Sequence, residues 1–520
     1  LIQLQYAGTQ TLSFSESVEN LAFSIMSMNG NGYGFDQDFT IESYSGLNGA
    51  GPGYYGGGTM TKAIVGDTFQ LNDGGMNSAS DGHSEPHGTI RFNNAFSELT
   101  WESLSDETWN GFSVGVSGTS STAGSVQFNG AVGSNAALGN ISINAAASSF
   151  DVTGLANLGG DITTTGDQTF GSAITLAADL ALTTTDAGDI QATSTIDGAH
   201  DLTIETDTTG DTTIAGSVGG NNTLANLTID THSLDANAIS LATDASLDVT
   251  ARGASEIAGV ISGTDATLAK DGDGTLVLSA TNTYTGSTTI TGGKLSISGD
   301  ANLGPAPSSP TESHLTLDGG TLLVTGNTTL NSNRGIELGD DDGAIEVATG
   351  TTTQYTGIIA GSGGLTKSGA GKLSLSGEST YTGATTIDGG IVEANNASAL
   401  GDDSAVTLAN VADTSLNLLS NLTIGSLAGG GSTGGNVSLG TSTLTTGGDG
   451  TSTNFAGNIS GTGSLIKAGD GTFTASGLAT YSGSTAVTGG IVFQNNTAPL
   501  TSGFTGTGTV TIEPTGTSFS

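Results

Sequence analysis

From residue 118 onward, apolar and polar positions alternate in bursts of four to six residues, each closed by Gly, Asn or Asp. "GDITTTGDQTF", "SAITLAADLALTTT", "DLTIETDTTGDTTIAGSV" and "SHLTLDGGTLLVTGNTTL" are representative. Period two puts successive side chains on opposite faces of a strand, so each burst predicts a half-buried strand. No helical window with charged faces interrupts them. About 400 residues of such strands do not fit one flat sheet, because twisted sheets of that width curl or split. Coiling solves the geometry: turns of about 20 residues stacked ~4.8 Å apart make ~20 turns and a rod of roughly 100 Å. Inward positions pack Leu, Ile, Val and Ala, outward ones carry Thr, Ser and Asp, and glycines take the corners.

Residues 1–117 alternate differently. Ile2, Leu4 and Tyr6, then "FDQDFTI" from Phe35 to Ile41, Ile90 with Phe92, and Leu99 with Trp101 place large side chains on one strand face. Gly/Asn/Ser/Asp stretches such as "NGNGYG" (29–34) and "GLNGAGPGYYGGG" (46–58) read as loops. Fifteen of the 27 aromatic residues lie before residue 118, which marks the boundary. Net charge does not mark it, since acids outnumber bases on both sides, 13 to 2 before and 36 to 7 after. The N-terminal part predicts an antiparallel, jelly-roll-like β-sandwich. Its order "VENLAFSI", "FDQDFTIESYSG", "HGTIRFNNAFSELTWES", "TWNGFSVGV" resembles a β-sandwich module at the ends of large bacterial surface proteins.

Three segments align by eye: "LAKDGDGTLVLSATNTYTGSTTITGGKLSI" (268–297), "LTKSGAGKLSLSGESTYTGATTIDGGIVEA" (365–394) and "LIKAGDGTFTASGLATYSGSTAVTGGIVFQ" (465–494). Each has a lysine (Lys270, Lys367, Lys467) with glycines two and four residues on, and a tyrosine fourteen on (Tyr284, Tyr381, Tyr481). A Gly-Gly pair closes each (292–293, 389–390, 489–490). Internal periodicity of this kind signals a repeat architecture. The expected organisation is therefore a sandwich over 1–117, a β-helix over 118–260, and a β-helix over 261–520 with repeats at about 259–304, 357–401 and 457–500.

Composition narrows the function. The chain has 520 residues, 85 glycines, 7 prolines, no cysteine and a net charge of −40. Nine dispersed cations do not build a phosphate-binding face, which argues against nucleic acid. No run approaches the ~18 apolar residues of a membrane span, and no charged-then-apolar leader opens the chain. Leu1 in place of Met suggests a processed or excerpted product. Absence of cysteine is compatible with a chain threaded unfolded through a pore.

The lysine–glycine–glycine unit ending in "YTGSTTITGG" resembles the passenger-associated repeat of bacterial autotransporters. Residues 118–260 resemble the β-strand repeats of filamentous-haemagglutinin-type adhesins. The resemblance implies an all-β chain, the sandwich followed by a long right-handed parallel β-helix (a solenoid), exported to the bacterial cell surface. Autotransporters also carry a C-terminal membrane barrel. The stretch up to "TVTIEPTGTSFS" shows none, so the likeness bears on fold and location rather than self-transport.

Candidate chemistry is sparse. Carboxylate oxygens suit calcium, and Asp340, Asp341 and Asp342 in "GDDDG", Asp271 with Asp273, and Asp36 with Asp38 are the places to expect it, set against the alternative of solvated turns. With Arg334 nearby in sequence, Asp340–Asp342 also form the best site for a rival, polysaccharide-degrading reading. His83 and His87 in "DGHSEPHG" are a metal pair or a solvated loop. The repeated lysines and tyrosines are either a ligand-facing ladder or structural. In the structural reading the tyrosine caps a bend and the lysine stem covers apolar surface with its head in water. Loops 46–58 and 81–88, with Tyr54, Tyr55, Trp101 and Trp109, are the candidate binding surface. The expectation is a noncatalytic extracellular structural or adhesive protein, its sandwich presented on a stalk. Its partners are a host or neighbouring-cell surface, polysaccharide or matrix. The alternative is a self-assembling subunit of a fibre, sheath or biofilm matrix, joined end to end or through the opening strand.

Overall fold

A computed structural model describes residues 2–3, 9–26, 32–44, 59–73, 88–104, 111–116, 125–128, 141–143, 149–152, 155–495, 504–506 and 509–513. The chain divides into two compact units, Leu1–Leu247 and Asp248–Ser520.

The first unit opens with two antiparallel sheets. One orders its strands Ile2–Gln3, Gly111–Val116, Leu21–Met26, Gly88–Phe92, Phe39–Tyr44. The other runs Met60–Val65, Thr68–Asp73, Gly32–Phe35, Phe96–Ser103, Thr9–Val18. Their inward rings meet edge to face, Phe23 against Phe35 at 5.7 Å and Trp101 at 5.4 Å, and Phe92 against Phe35 at 5.2 Å. Such pairs add about 0.5–1.5 kcal/mol each beyond area burial. The opening strand Ile2–Gln3 is used inside this sandwich, paired antiparallel with Gly111 and Phe112.

Ser125–Phe128 changes the topology. It pairs antiparallel with Thr9–Val18 on one side and parallel with Ser149–Val152 on the other. From there the ladder is parallel, through Gln168–Phe170, Ile190–Ala192, Thr212–Ile214 and Leu234–Ala236. Two further parallel ladders complete each coil: Ile162–Thr164, Leu180–Thr184, Leu202–Glu205, Leu227–Thr231, and Ala156–Leu158, Ile174–Leu176, Ile196–Asp197. Ile162 pairs with Leu182, Leu182 with Ile204 and Ile204 with Ile229, so coils take 20, 22 and 25 residues. Those four side chains form one buried inward column. Each contributes about 1.5–3 kcal/mol by leaving water.

The second unit is built from the same parallel coils. A first face carries Thr267–Asp271, Thr288–Ile290, Thr311–Leu317, Arg334–Leu338 and Ile359–Gly361. A second carries Thr275–Leu278, Lys294–Ile297, Thr321–Val324, Gly343–Val347, Leu365–Ser368, Thr385–Ile387 and Ala405–Leu408. A third carries Thr328–Leu330, Thr352–Tyr355, Lys372–Leu375, Ile391–Ala394 and Ser415–Leu418. Glycine is forced at the corners. The second residue of each Gly-Gly pair has positive φ (Gly293 +52°, Gly390 +66°, Gly490 +64°), and a Cβ there would meet a carbonyl of the coil below at 2.2–2.3 Å. No helix among the described residues is long and apolar enough to cross a membrane.

Candidate functional site

The repeated lysines point inward, not into water. Lys270, next to last in its strand, lies on the same side as Leu268, fully buried, and Nζ donates to the carbonyls of Asp271 (2.6 Å), Gly272 (2.8 Å) and Gly292 (3.4 Å). Lys367 repeats this with Ser368 (2.6 Å), Gly369 (2.8 Å) and Gly389 (3.0 Å). Lys467 donates to Ala468 and to Gly469 (3.0 Å). The first glycine after the lysine in each unit takes positive φ (Gly272 +79°, Gly369 +71°, Gly469 +62°). The expectation of a solvated lysine head is thereby corrected: the corner concentrates backbone carbonyls, and the ammonium is their donor. Burial pushes Lys270 and Lys367 down to about 8, opposed by the charges of Asp271 and Asp273 for the first and of Glu346 for the second. Both remain cations at neutral pH. Lys467 is lowered by burial and held up by Asp449 and Asp470.

Each tyrosine is buried and bonds the threonine four residues on: Tyr284 to Thr288 at 2.8 Å, Tyr381 to Thr385 at 2.6 Å, Tyr481 to Thr485 at 2.5 Å. Burial raises the Tyr284 phenol to about 12. The chain before each tyrosine stacks on the coil below, Thr283 N–H on Ile261, Thr380 on Ile359 and Thr480 on Ile459. Sequence reasoning passed over the partner threonine, although "YTGST", "YTGAT" and "YSGST" carry it at one fixed spacing.

The repeats are not in phase. Lys270 lies on the first face and the strand after it on the second. Lys367 lies on the second face, and its following strand on the third. In the third repeat Lys467 lies on a separate ladder, between Thr443–Thr446 and Thr485–Val487, and only the strand after it returns to the second face. That strand, Thr472–Ala475, pairs with Thr453–Phe455, which adjoins Ser426–Gly429 of the second-face ladder. A ligand-facing ladder made of these side chains would need them aligned and exposed, and they are neither.

The other sequence candidates are spread out. Asp340 accepts from the Ser362 hydroxyl, and the Asp342 carboxylate takes the Gly364 N–H at 2.6 Å. The Asp341 N–H caps Asp318 on the coil below at 2.9 Å. Asp36 accepts from the Thr100 N–H at 2.9 Å, while Asp38 pairs with Lys62. Among the described residues no group of three or more His, Asp or Glu side chains is arranged to hold a metal ion. Arg334 turns away from the rival site that its place in sequence suggested. It is buried, with Nε on Asp300 (3.2 Å), Nη1 on the Leu303 carbonyl (3.1 Å) and on His314 Nδ1 (3.1 Å), and Nη2 on the Gly304 carbonyl (2.7 Å). It thus pins an enlarged coil: Thr328 caps Ser298 thirty residues back. Trp101 is core, packed on Phe23. Tyr54, Tyr55, His83, His87 and Trp109 lie outside the described residues.

With this geometry in view, comparison with known proteins identifies the repeated unit. Residues 268–297, 365–394 and 465–492 match the passenger-associated-transport-repeat. The three units are similar to that family's repeat. The chain is 39% identical over 168 residues to the adhesin BmaC autotransporter of Brucella suis biovar 1 (strain 1330), a stretch covering 32% of this chain and 5% of that protein. The chain thus spans a small fraction of its relative. No solved structure matches. A passenger of this kind lies outside the cell, at its surface.

Proposed function

We propose that this segment is a noncatalytic, adhesive part of a cell-surface passenger, a β-solenoid that meets host or neighbouring-cell surfaces, polysaccharide or matrix through its outer faces and through the stretch of sequence around Tyr54 and Tyr55. The observation that carries this reading is how the polar side chains are used. In coil after coil they serve the fold: Asp167 caps the Asp189 N–H, Asp189 caps Asp211, and Asp211 accepts from Ser233. Among the described residues most of these carboxylates are committed to coil-to-coil bonds, and the two that also meet an imidazole, Asp179 with His200 (3.3 Å) and Asp211 with His232 (2.9 Å), take backbone or hydroxyl donors of the next coil as well. The name of the BmaC relative supports the adhesive half of the proposal. Many weak contacts along a repetitive face add through multivalency rather than through one tight pocket.

The test is retention under flow of beads coated with the whole chain, on epithelial monolayers and on immobilised polysaccharides. Retention that rises steeply with coating density is expected. Release of oligosaccharides from a polysaccharide panel, abolished by D340N/D341N/D342N, would replace adhesion by catalysis. Filaments of purified protein in electron micrographs would favour the assembling alternative.

A further inference from the structure

We propose that the lysine corner of the repeat is a monovalent-cation site whose cation is covalently attached. An ammonium has three hydrogens, and at Lys270 and Lys367 three carbonyl oxygens converge on Nζ at 2.6–3.4 Å. Two oxygens come from the turn just after the lysine. The third, from Gly292 or Gly389, comes from the next coil, 22 residues on. A neutral amine would aim a lone pair at one of these oxygens, so the arrangement specifies a positive charge. All the direct contacts are carbonyls, the ligand set of potassium-type sites, where backbone oxygens replace an ion's hydration shell. Asp271 contributes its backbone oxygen to Nζ.

Some coils without a lysine meet the corner with a neutral donor, the hydroxyl of Thr184 on Gly188 (2.7 Å) or of Thr206 on Gly210 (2.6 Å), whereas the coils adjoining Lys270 and Lys367 carry Ile290, Ile345 and Ile387 in register with the lysines. Lys270 and Lys367 each gather three carbonyls where Thr184 meets one and Thr206 two, and three acceptors match the three hydrogens of an ammonium. The corner closes without drawing on the medium. Lys467, with two carbonyls and the charges of Asp449 and Asp470 nearby, is the least complete of the three sites.

The experiment uses the full chain with K367A, which empties the cage, and K367M, which fills its approach without charge. Hydrogen exchange of residues 365–391 is followed at constant ionic strength in chloride salts of potassium, methylammonium or tetramethylammonium, the last too large to enter. Wild type should be indifferent to the cation. K367A should exchange at least tenfold faster in tetramethylammonium, with most of that protection restored by potassium or methylammonium. K367M should show no restoration. A K367A protein that exchanges alike in all three salts, because water fills the corner, would overturn the proposal, as would equal restoration in K367M. If K367A does not fold, refolding yield in the same salts is the readout, and no dependence on the cation again counts against the site.

Discussion

The threonine-cornered coils of residues 155–247 and the lysine-cornered coils of the three repeats share one inner architecture and differ in what ends it. In both, inward Leu, Ile and Val stack in register, and in both the turn leaves backbone carbonyls facing the interior. The first set meets them with a hydroxyl, so Thr164, Thr184 and Thr206 each donate to a glycine carbonyl of their own corner. The second meets them with an ammonium buried at Lys270 and Lys367. A solenoid thus tolerates a buried polar group at a corner, and even a charge, provided the backbone there supplies enough acceptors.

The comparison is broken most easily in the core, where the two regions should behave alike. Leu182→Ala and Leu322→Ala each remove a fully buried side chain and should each cost about 2–5 kcal/mol. A large difference in urea midpoint between them would mean that the inner columns are not equivalent. Next comes the lysine corner's own glycine. Gly390→Ala forces a Cβ to 2.3 Å from the Gly371 carbonyl at φ +66°, with strain alone of about 1–3 kcal/mol, whereas Gly299→Ala meets nothing within 4 Å and should be near neutral. Thermal melting compares the two.

Hydroxyl deletions should be smaller. Thr184→Val, at the threonine corner, and Tyr381→Phe, in the second repeat, each lose one buried hydrogen bond, about 1 kcal/mol. The valine variant should show no dependence on cation type, which separates its corner from the lysine's. The mildest probe is alkaline pH. Burial raises the Tyr284 phenol to about 12, and Tyr355 and Tyr381 are raised as well. A raised acid contributes stability below its unfolded value near 10 and loses it as pH climbs through 12. Melting temperature should therefore fall over that window, and less so in Tyr381→Phe.

Much of this was legible in the sequence. Alternation gave the short strands, and the Gly-Gly pairs marked corners that only glycine enters. The lysine's direction was also written there, since Leu268 and Lys270 share strand parity, as do Arg334, Ile336 and Leu338. The general preference of long cations for water hid it, because acceptors that belong to the backbone leave no trace in residue type. Repeat phase was not legible. Spacings of 97 and 100 residues fix a similarity in sequence, while the face on which a unit lands depends on how many strands the intervening coils contain. The Arg334 anchor escaped for a related reason: its partners Asp300 and His314 lie 34 and 20 residues away.

The most direct measurement exploits the absence of native cysteine. Thr366 and Thr386 are register partners on successive coils of one parallel ladder. Neighbouring strands stand ~4.8 Å apart, within the Cα separation a disulfide spans. T366C/T386C should oxidise readily to an intramolecular bond without loss of β signal. T366C/D388C, two residues out of register, should not. Ready closure of the second pair and not the first would contradict the stacked-coil account.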